Sequence, residues 1–155
     1  MASEKLFKDA QTLLEMHSRH GISPFFKPIK LVSVQPGEVV FSFEVEDIYM
    51  NVSGYFHGGI LAVVVDVLTF IAAGTLADTF HGSSVEMSVR YLKGIRKGET
   101  IHVKAEAVRA GKKFFICNAD FIDEDGKLAA RGSQTIYRTT PSSTSTKHKN
   151  LAAKL

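Results

Sequence analysis

The chain has 155 residues, 45% hydrophobic and 23% charged, which is enough for one folded domain and too apolar for disorder throughout. Its 19 basic and 16 acidic residues give a net charge of +3, but the excess lies in residues 141–155, which carry three lysines and no acid. A neutral body with a basic tail argues against a nucleic-acid-binding protein, whose surface needs clustered positive charge on a folded face.

The first half of the chain predicts a helix, a strand pair and a second helix. Residues 3–18 place apolar side chains on one side and predict an amphipathic helix, with Ser3 as a candidate cap. Leu31 to Glu46 predicts a hairpin that turns at Pro36-Gly37, because its second strand alternates apolar and polar residues. Gly58 to Ala77 is too long for a strand and apolar almost all round, so it predicts a helix that other elements must cover.

The second half predicts four consecutive strands. In residues 84–91 the odd positions are apolar and the even positions polar, so Ser84 and Arg90 are expected to face away from Tyr91. Further strands are predicted at 100–108, 114–122 and 128–138, with turns at Gly94 to Gly98, Ala110-Gly111 and Asp123 to Gly126. Consecutive strands with short turns make an antiparallel sheet. We therefore predict one α+β domain over residues 1–140, a curved sheet around a central helix, followed by a disordered tail over 141–155.

Two features suggest the compartment. Cys117 has no second cysteine with which to pair, and the start MASEKLFKDA lacks the cationic-then-apolar order of a secretory signal. We therefore expect a reducing, intracellular compartment. The one stretch apolar enough to be considered for a membrane, Gly58 to Ala77, has Asp66 near its middle. A carboxylate there would cost about 2.5–3.5 kcal/mol, so we expect no membrane span.

Two adjacent glycines, Gly58 and Gly59, open the predicted buried helix. A helix N-terminus carries unpaired N–H donors and a partial positive charge, and glycine lets a ligand carbonyl approach that backbone closely. Such a backbone can serve as an oxyanion hole. Close helix packing or a tight turn is the alternative, and it is the commoner reason for an isolated pair of glycines.

Asp66 is a lone carboxylate among valines and leucines of the same helix. Its burial costs free energy unless it is paired, so it either has a structural partner or lies in a functional cleft. Gly58 and Asp66 are eight residues apart, about 12 Å along a helix. One acyl carbon cannot be within about 3–3.5 Å of both. A joint catalytic role therefore requires two copies of the chain, with Asp66 of one facing Gly58 of the other across a two-fold axis.

The motif residues resemble those of the hotdog-fold acyl-coenzyme A thioesterases, particularly the small single-domain branch of the phenylacetate-degradation type. The resemblance covers about Val32 to Tyr137. It rests on Asn51-x-x-Gly54-x-x-His57-Gly58-Gly59, on Asp66 seven residues later, and on the strand Ser84-Val85-Glu86-Met87.

The resemblance implies a division of labour between two subunits. The Asn51 side chain and the Gly58 N–H would polarise the thioester carbonyl. Asp66 of the opposite subunit would activate or orient the attacking water, assisted by Ser84. The resemblance thus implies a fatty or aromatic acyl-CoA substrate, a metal-free hydrolase without cofactor, and a homodimer or a homotetramer of two dimers.

Several further residues are candidate substrate contacts. His57 and Gly59 adjoin the expected oxyanion hole, and Ser83 adjoins Ser84. Coenzyme A phosphates would favour basic residues at the mouth of the site, although exposed bases are commonly only solvated. The basic candidates, of which we retain the first two, are Arg90, Lys112, Lys93, Arg96, Lys97 and Lys113.

Other chemistries have weaker support. No G-x-S-x-G motif occurs and Cys117 has no neighbouring base, while an activated thioester needs only water, a base and an oxyanion hole. His17 and His20 lack an evident third metal ligand, so we expect a solvated helix end. Asp123 to Gly126 lacks the rest of a calcium loop and predicts a hairpin turn. Two alternatives remain: a hotdog enoyl-CoA hydratase that uses His57, and a non-catalytic acyl-CoA-binding protein.

The chain ends in Ala153-Lys154-Leu155, which resembles the C-terminal peroxisomal address Ser-Lys-Leu. The polar, basic stretch before it would leave this ending accessible to an import receptor. We therefore expect a peroxisomal protein. The alternative is an ordinary disordered end on a cytoplasmic protein.

Overall fold

The part of the chain that the structure describes contains two α-helices and six strands, at about the places where the sequence predicts them. The computed structural model of the chain describes residues 2–19, 21–77 and 80–139. His20 and the tail over 141–155, with Ala153-Lys154-Leu155, lie outside the described residues. The elements are α1 (Ala2–His17), β1 (Lys30–Gln35), β2 (Glu38–Glu44), α2 (Gly58–Gly74), β3 (Gly82–Tyr91), β4 (Thr100–Ala110), β5 (Phe114–Ile122) and β6 (Leu128–Arg138).

The ends of both helices differ from their predicted positions. Ser3 lies inside the first turn of α1 and not before it, so its prediction as a cap is wrong. α2 ends at Gly74, three residues before the apolar run does. At this end the Thr75 hydroxyl donates to the carbonyl of Ala72 at 2.7 Å and accepts from the N–H of Gly37 at 2.7 Å. No helix within the described ranges is long and apolar enough to cross a membrane.

The strands form one antiparallel sheet in the order β1-β2-β4-β5-β6-β3. β3 therefore pairs with β6, although β4 follows it in the chain. The segment between β3 and β4 crosses the molecule, because the N–H of Leu92 donates to Ala129 in β6 and the N–H of Gly98 donates to Val45, just after β2. The expectation of a simple turn at Gly94 to Gly98 between two paired strands is thus wrong. The crossing leaves β3 as an edge strand.

The long helix α2 lies against one face of this sheet and contacts β2 to β6 as well as α1. The alternation in β2 is confirmed, since Val39, Phe41 and Phe43 are buried on the face toward the core. α2 comes very close to β6 at Gly132, where a Cβ atom would lie 2.5 Å from Val65 Cγ1. Only glycine fits there without displacing the helix. The predicted α+β arrangement, an antiparallel sheet around a central helix, is confirmed.

Both edge strands contain a β-bulge. In β3, Ser84 pairs with Ile136 and Glu86 with Thr135, which leaves Val85 as the extra residue. A bulge shifts the alternation of side chains by one residue. Ser84 therefore points to the same face as Tyr91, toward α2, and the prediction that it faces away from Tyr91 is wrong. β1 has a corresponding irregularity between Leu31 and Ser33, with Val32 as the extra residue.

Candidate active site

The loop before α2 is held by the side chain of Asn51. Its Oδ1 accepts hydrogen bonds from the N–H groups of Ser53 at 2.9 Å and Tyr55 at 3.1 Å. The Nδ2 group has no hydrogen-bond partner among the described residues, and Asn51 is partly buried. Asn51 thus stabilises the loop with its oxygen while its NH2 group stays available as a donor.

The first turn of α2 offers a second available donor. His57 caps the helix, because its Nδ1 accepts from the N–H of Gly59 at 3.0 Å. The N–H of Gly58, by contrast, has no partner within the part of the chain that the structure describes. The expected contacts of His57 and Gly59 with substrate thus compete with a capping hydrogen bond. Gly58 provides the free N–H that the sequence indicated.

Tyr91 of β3 holds Gly58 from the other side. Its hydroxyl donates to the carbonyl oxygen of Gly58 at 2.8 Å. Its ring is so close that a Cβ atom on Gly58 would lie 3.1 Å from the hydroxyl oxygen. Asn51, Gly58 and Tyr91, together with Tyr55 and Leu61, line a cleft of about 400 Å³, called here the N-terminal cleft. The sequence indicated only that Tyr91 lies on the apolar face of its strand, so its contact with Gly58 was missed.

Asp66 lies about two turns further along α2 and is partly buried. Ser84 Oγ donates to Asp66 Oδ1 at 2.8 Å. Gln134 Nε2 donates to the same oxygen and also to Ser84 Oγ, the latter at 2.7 Å. The other end of the Gln134 side chain accepts from the Thr69 hydroxyl. Asp66 therefore has the structural partners that the sequence left open as one explanation for a buried carboxylate.

Gln134 and Thr69 were not among the candidate residues from the sequence. Both side chains are completely buried. One signal in the sequence could have found Gln134: it falls on the inward positions of β6, between Gly132 and Ile136, where an apolar residue is usual.

A second, larger cleft of about 1140 Å³ lies between α1 and the C-terminal half of α2, and it is called here the helix cleft. Asp66 and His17 both line it, with Leu13, Phe70 and Phe80 among its apolar residues. The expectation that His17 belongs to a solvated helix end is wrong, because it is partly buried here. Burial lowers the pKa of His17, and the charge of Asp66 opposes that shift. No group of three metal-ligating side chains occurs among the described residues.

The two clefts are separate within one chain. Asn51 and Gly58 line the N-terminal cleft, Asp66 lines the helix cleft, and no residue lines both. This agrees with the spacing argument, by which Gly58 and Asp66 of one helix cannot reach the same atom. Ser84 joins Asp66, whereas Ser83 pairs with the exposed Tyr137 on the opposite face of the sheet and is not brought to Asp66.

The basic candidates fall into two groups. Lys93 donates to Asp123 at 2.7 Å and Lys97 to Asp47 at 2.6 Å, so both serve in ion pairs. The others are exposed and form no ion pair with any described residue: Arg90, Arg96, Lys112 and Lys113. The side chain of Arg96 lies over the Tyr55 ring at 5.6 Å. Neither Arg90 nor Lys112 lines either cleft.

The remaining sequence features have structural roles. The acidic run forms the β5–β6 hairpin turn, as predicted. Asp123 accepts from Lys93 Nζ and from the N–H groups of Lys127 at 2.8 Å and Asp125 at 3.0 Å, and these hydrogen bonds hold the pKa of its carboxyl below the usual value. Cys117 is buried in β5, and burial raises the pKa of its thiol to about 12. It is therefore no nucleophile at neutral pH.

Comparison with known proteins identifies the family. Residues 53–130 match the family model of the thioesterase superfamily. Human acyl-coenzyme A thioesterase 13 is 33% identical over 110 residues, which are 70% of this chain and 79% of the human protein. The crystal structure of zebrafish thioesterase superfamily member 2 aligns with a TM-score of 0.79 at 27% identity, over 84% of this chain and 95% of that one. For mouse thioesterase superfamily member 2 the TM-score is 0.74 at 30% identity, over 83% and 96%. The chain is therefore a hotdog-fold member of the thioesterase superfamily.

Proposed function

We propose that the chain is an acyl-CoA thioesterase, which hydrolyses a fatty or aromatic acyl-CoA to the free acid and coenzyme A. The observation that carries this proposal is the pair of donors at the N-terminal cleft, Asn51 Nδ2 and the Gly58 N–H, neither of which has a partner among the described residues. Two such donors suit the negative charge that develops on a thioester oxygen. The human relative's name, acyl-coenzyme A thioesterase 13, supports the same substrate class.

Asp66 supplies the base. The water oxygen bonds to the carbonyl carbon while one water proton passes to the carboxylate, assisted by Ser84. The negative charge on the carbonyl oxygen is met by Asn51 and Gly58. The carbon–sulfur bond then breaks, and the sulfur leaves as coenzyme A and receives the proton from Asp66. A thioester is already activated, so no covalent intermediate is needed.

The site is composed of two subunits. Asp66 and Gly58 of one chain line different clefts, which supports a site whose reacting groups come from two chains. β3 provides the surface for this contact, because it is an edge strand with an unpaired backbone edge. Exposed apolar side chains lie on β3 and directly after it: Val85, Met87, Tyr91 and Leu92. The outer face of the sheet exposes Phe114, Ile116 and Tyr137, which supports assembly of two dimers into a homotetramer.

The test is thiol release from acyl-CoA by the Asp66→Asn variant. Loss of the base is expected to lower kcat by about 10²- to 10⁴-fold. Asp125→Asn, at an exposed aspartate of the β5–β6 turn, is the matched control and keeps the parental rate. Parental turnover by Asp66→Asn, with the folded assembly intact, would show that the base is assigned to the wrong residue.

Two assays separate the alternatives. A hydratase would add water to crotonyl-CoA without releasing thiol, whereas His57, its expected base, is occupied as the α2 cap. A binding protein would retain acyl-CoA in equilibrium dialysis and leave the thioester intact for hours. Thiol release with a saturable dependence on acyl-CoA excludes both, and a panel of chain lengths and aromatic acyl groups then identifies the preferred substrate.

We also propose that the protein is imported into peroxisomes through Ala153-Lys154-Leu155, with cytoplasmic residence as the alternative. The support is the match of this ending to the Ser-Lys-Leu address. An N-terminal fluorescent fusion is expected to colocalise with a peroxisomal marker, and removal of Leu155 is expected to make it diffuse. Diffuse fluorescence of the full-length fusion would contradict the proposal.

A further inference from the structure

Gln134 is a completely buried amide, and both ends of it are engaged. A carboxylate without its proton can only accept hydrogen bonds, so the Gln134 NH2 group must face Asp66. Its oxygen then faces the Thr69 hydroxyl, whose single proton is shared between the Gln134 oxygen and the backbone carbonyls of Val65 at 2.9 Å and Asp66 at 3.1 Å. In this orientation, both the NH2 group and the oxygen of Gln134 have hydrogen-bond partners. This agrees with the rest of the described residues, in which no buried side-chain polar atom lacks a partner.

Both hydrogen bonds to the Asp66 carboxylate reach the same oxygen. Ser84 Oγ and Gln134 Nε2 donate to Oδ1, and Gln134 also donates to Ser84. Asp66 Oδ2 receives no hydrogen bond from any described residue. The three side chains form a closed triangle that restrains rotation of the carboxylate about its terminal torsion. One oxygen is held toward β6, and the other is left for a ligand or water.

We propose that Gln134 is a positioning residue for hydrolysis, which fixes the Asp66 carboxylate so that Oδ2 alone accepts the proton of the attacking water. This inference rests on the proposed thioesterase function and adds a residue that acts through Asp66 and Ser84. Thr69 extends the same role, because its hydroxyl holds the Gln134 oxygen and thereby the direction of the NH2 group. Other charged or titratable side chains also line the helix cleft: Lys5, Asp9, His17 and His81.

The first test uses two substitutions of Gln134. Gln134→Met keeps the length of the side chain and removes all three of its hydrogen bonds, which join it to Asp66, Ser84 and Thr69. Gln134→Glu keeps the shape but places a second carboxyl group against Asp66. A misplaced base can cost about 100-fold in rate, so we expect kcat of Gln134→Met to fall about 10- to 100-fold with little change in KM. In Gln134→Glu the acid limb of the kcat–pH profile is expected to move to higher pH, because two adjacent carboxyl groups share a proton.

Thr69 gives a second pair of variants for the case in which Gln134 substitutions unfold. Thr69→Val keeps the shape of the side chain and removes the hydroxyl that contacts the Gln134 oxygen and the helix carbonyls of Val65 and Asp66, whereas Thr69→Ser retains this hydroxyl. We expect Thr69→Val to lower kcat and Thr69→Ser to restore most of it. The matched control is Thr135→Val, which lies next to Gln134 but on the outer face of β6, opposite Glu86. It is expected to leave both kcat and the pH profile unchanged.

Two results would overturn this inference. One is parental kcat in the folded Gln134→Met and Thr69→Val variants together with an unchanged pH profile in Gln134→Glu, while Asp66→Asn is inactive. The other does not depend on turnover: a crystal structure of Gln134→Met or Thr69→Val in which the Asp66 carboxylate keeps its orientation. Absence of thiol release by the parental protein would instead refute the proposed function, so the two failures are distinguishable.

Discussion

A site shared between two subunits can be tested by mixing two inactive variants. Asp66→Asn removes the base and keeps the shape of the side chain. Asn51→Asp removes the Nδ2 donor but keeps Oδ1, which accepts from Ser53 and Tyr55 and so preserves the loop. Its added negative charge opposes the charge that develops on the thioester oxygen. Homodimers of either variant have two damaged sites.

The expected activity of the mixed dimer follows from the arrangement of the two clefts. One of its sites combines the intact Asn51 and Gly58 of the first subunit with the intact Asp66 of the second. The other site carries both substitutions. A purified mixed dimer should therefore have about half of the parental activity, and a random one-to-one mixture about a quarter, because about half of its dimers are mixed.

The assay requires the two variants to be co-expressed with different affinity tags and isolated by two successive purifications. Thiol release per dimer is then compared with that of each parent variant, each of which should be nearly inactive. The same mixture of Asp66→Asn with Ser84→Ala provides the control. These two residues act together in one chain, so no site of that mixed dimer becomes intact. Mixed dimers of the first pair that are no more active than their parents would refute the shared site.

Three further predictions concern the fold. Gly132→Ala places a methyl group 2.5 Å from Val65 Cγ1 and should lower the free energy of unfolding in urea by about 1–3 kcal/mol. Adding Val65→Ala to the same chain should recover part of the lost stability. No recovery in the double variant would contradict the close packing of these two residues. Asp123→Asn should lower Tm at pH 7, because hydrogen bonds from Lys93 and from two backbone N–H groups lower the pKa of Asp123 and stabilise its charged form. The Tm difference between the variant and the parental protein should shrink below about pH 4, where Asp123 becomes protonated and this stabilisation is lost. A Tm difference that is constant with pH would contradict this. Cys117 should react with a thiol reagent at pH 8 only after unfolding, since burial raises its pKa to about 12, and rapid labelling of the folded protein would contradict it.

The secondary structure could be predicted because hydrophobic periodicity is local. The alternation in β2 and the uniformly apolar stretch of α2 each follow from which side chains are buried, and the structure agrees with both. The position of β3 could not be predicted in this way. Its pairing with β6 depends on contacts between distant parts of the chain, and local alternation is the same whichever neighbour a strand has.

The candidate site could be predicted only in part. The motif indicated Asp66 and Ser84, and the structure brings these two together. The bulge at Val85, which turns Ser84 toward Asp66, has no signal in a pattern that alternates regularly through it. Gln134 was missed because one polar residue in a strand is usually exposed. His17 was misplaced because the depth of a helix end depends on the element that packs over it.

The β-bulges in the two edge strands also limit edge-to-edge association of the sheet with further copies of the chain. An open sheet has two edge strands, whose unpaired backbone groups can pair with strands of further chains. The bulge residue Val32 interrupts this pairing at β1, and Val85 interrupts it at β3. On the open edge of β3, the longest stretch without a bulge is Glu86 to Tyr91, so a partner strand paired there would have little freedom to slide. In the proposed dimer, the sheet edges left at β1 are short and interrupted by the bulge at Val32. Growth should therefore end in a finite particle and not continue into a fibril.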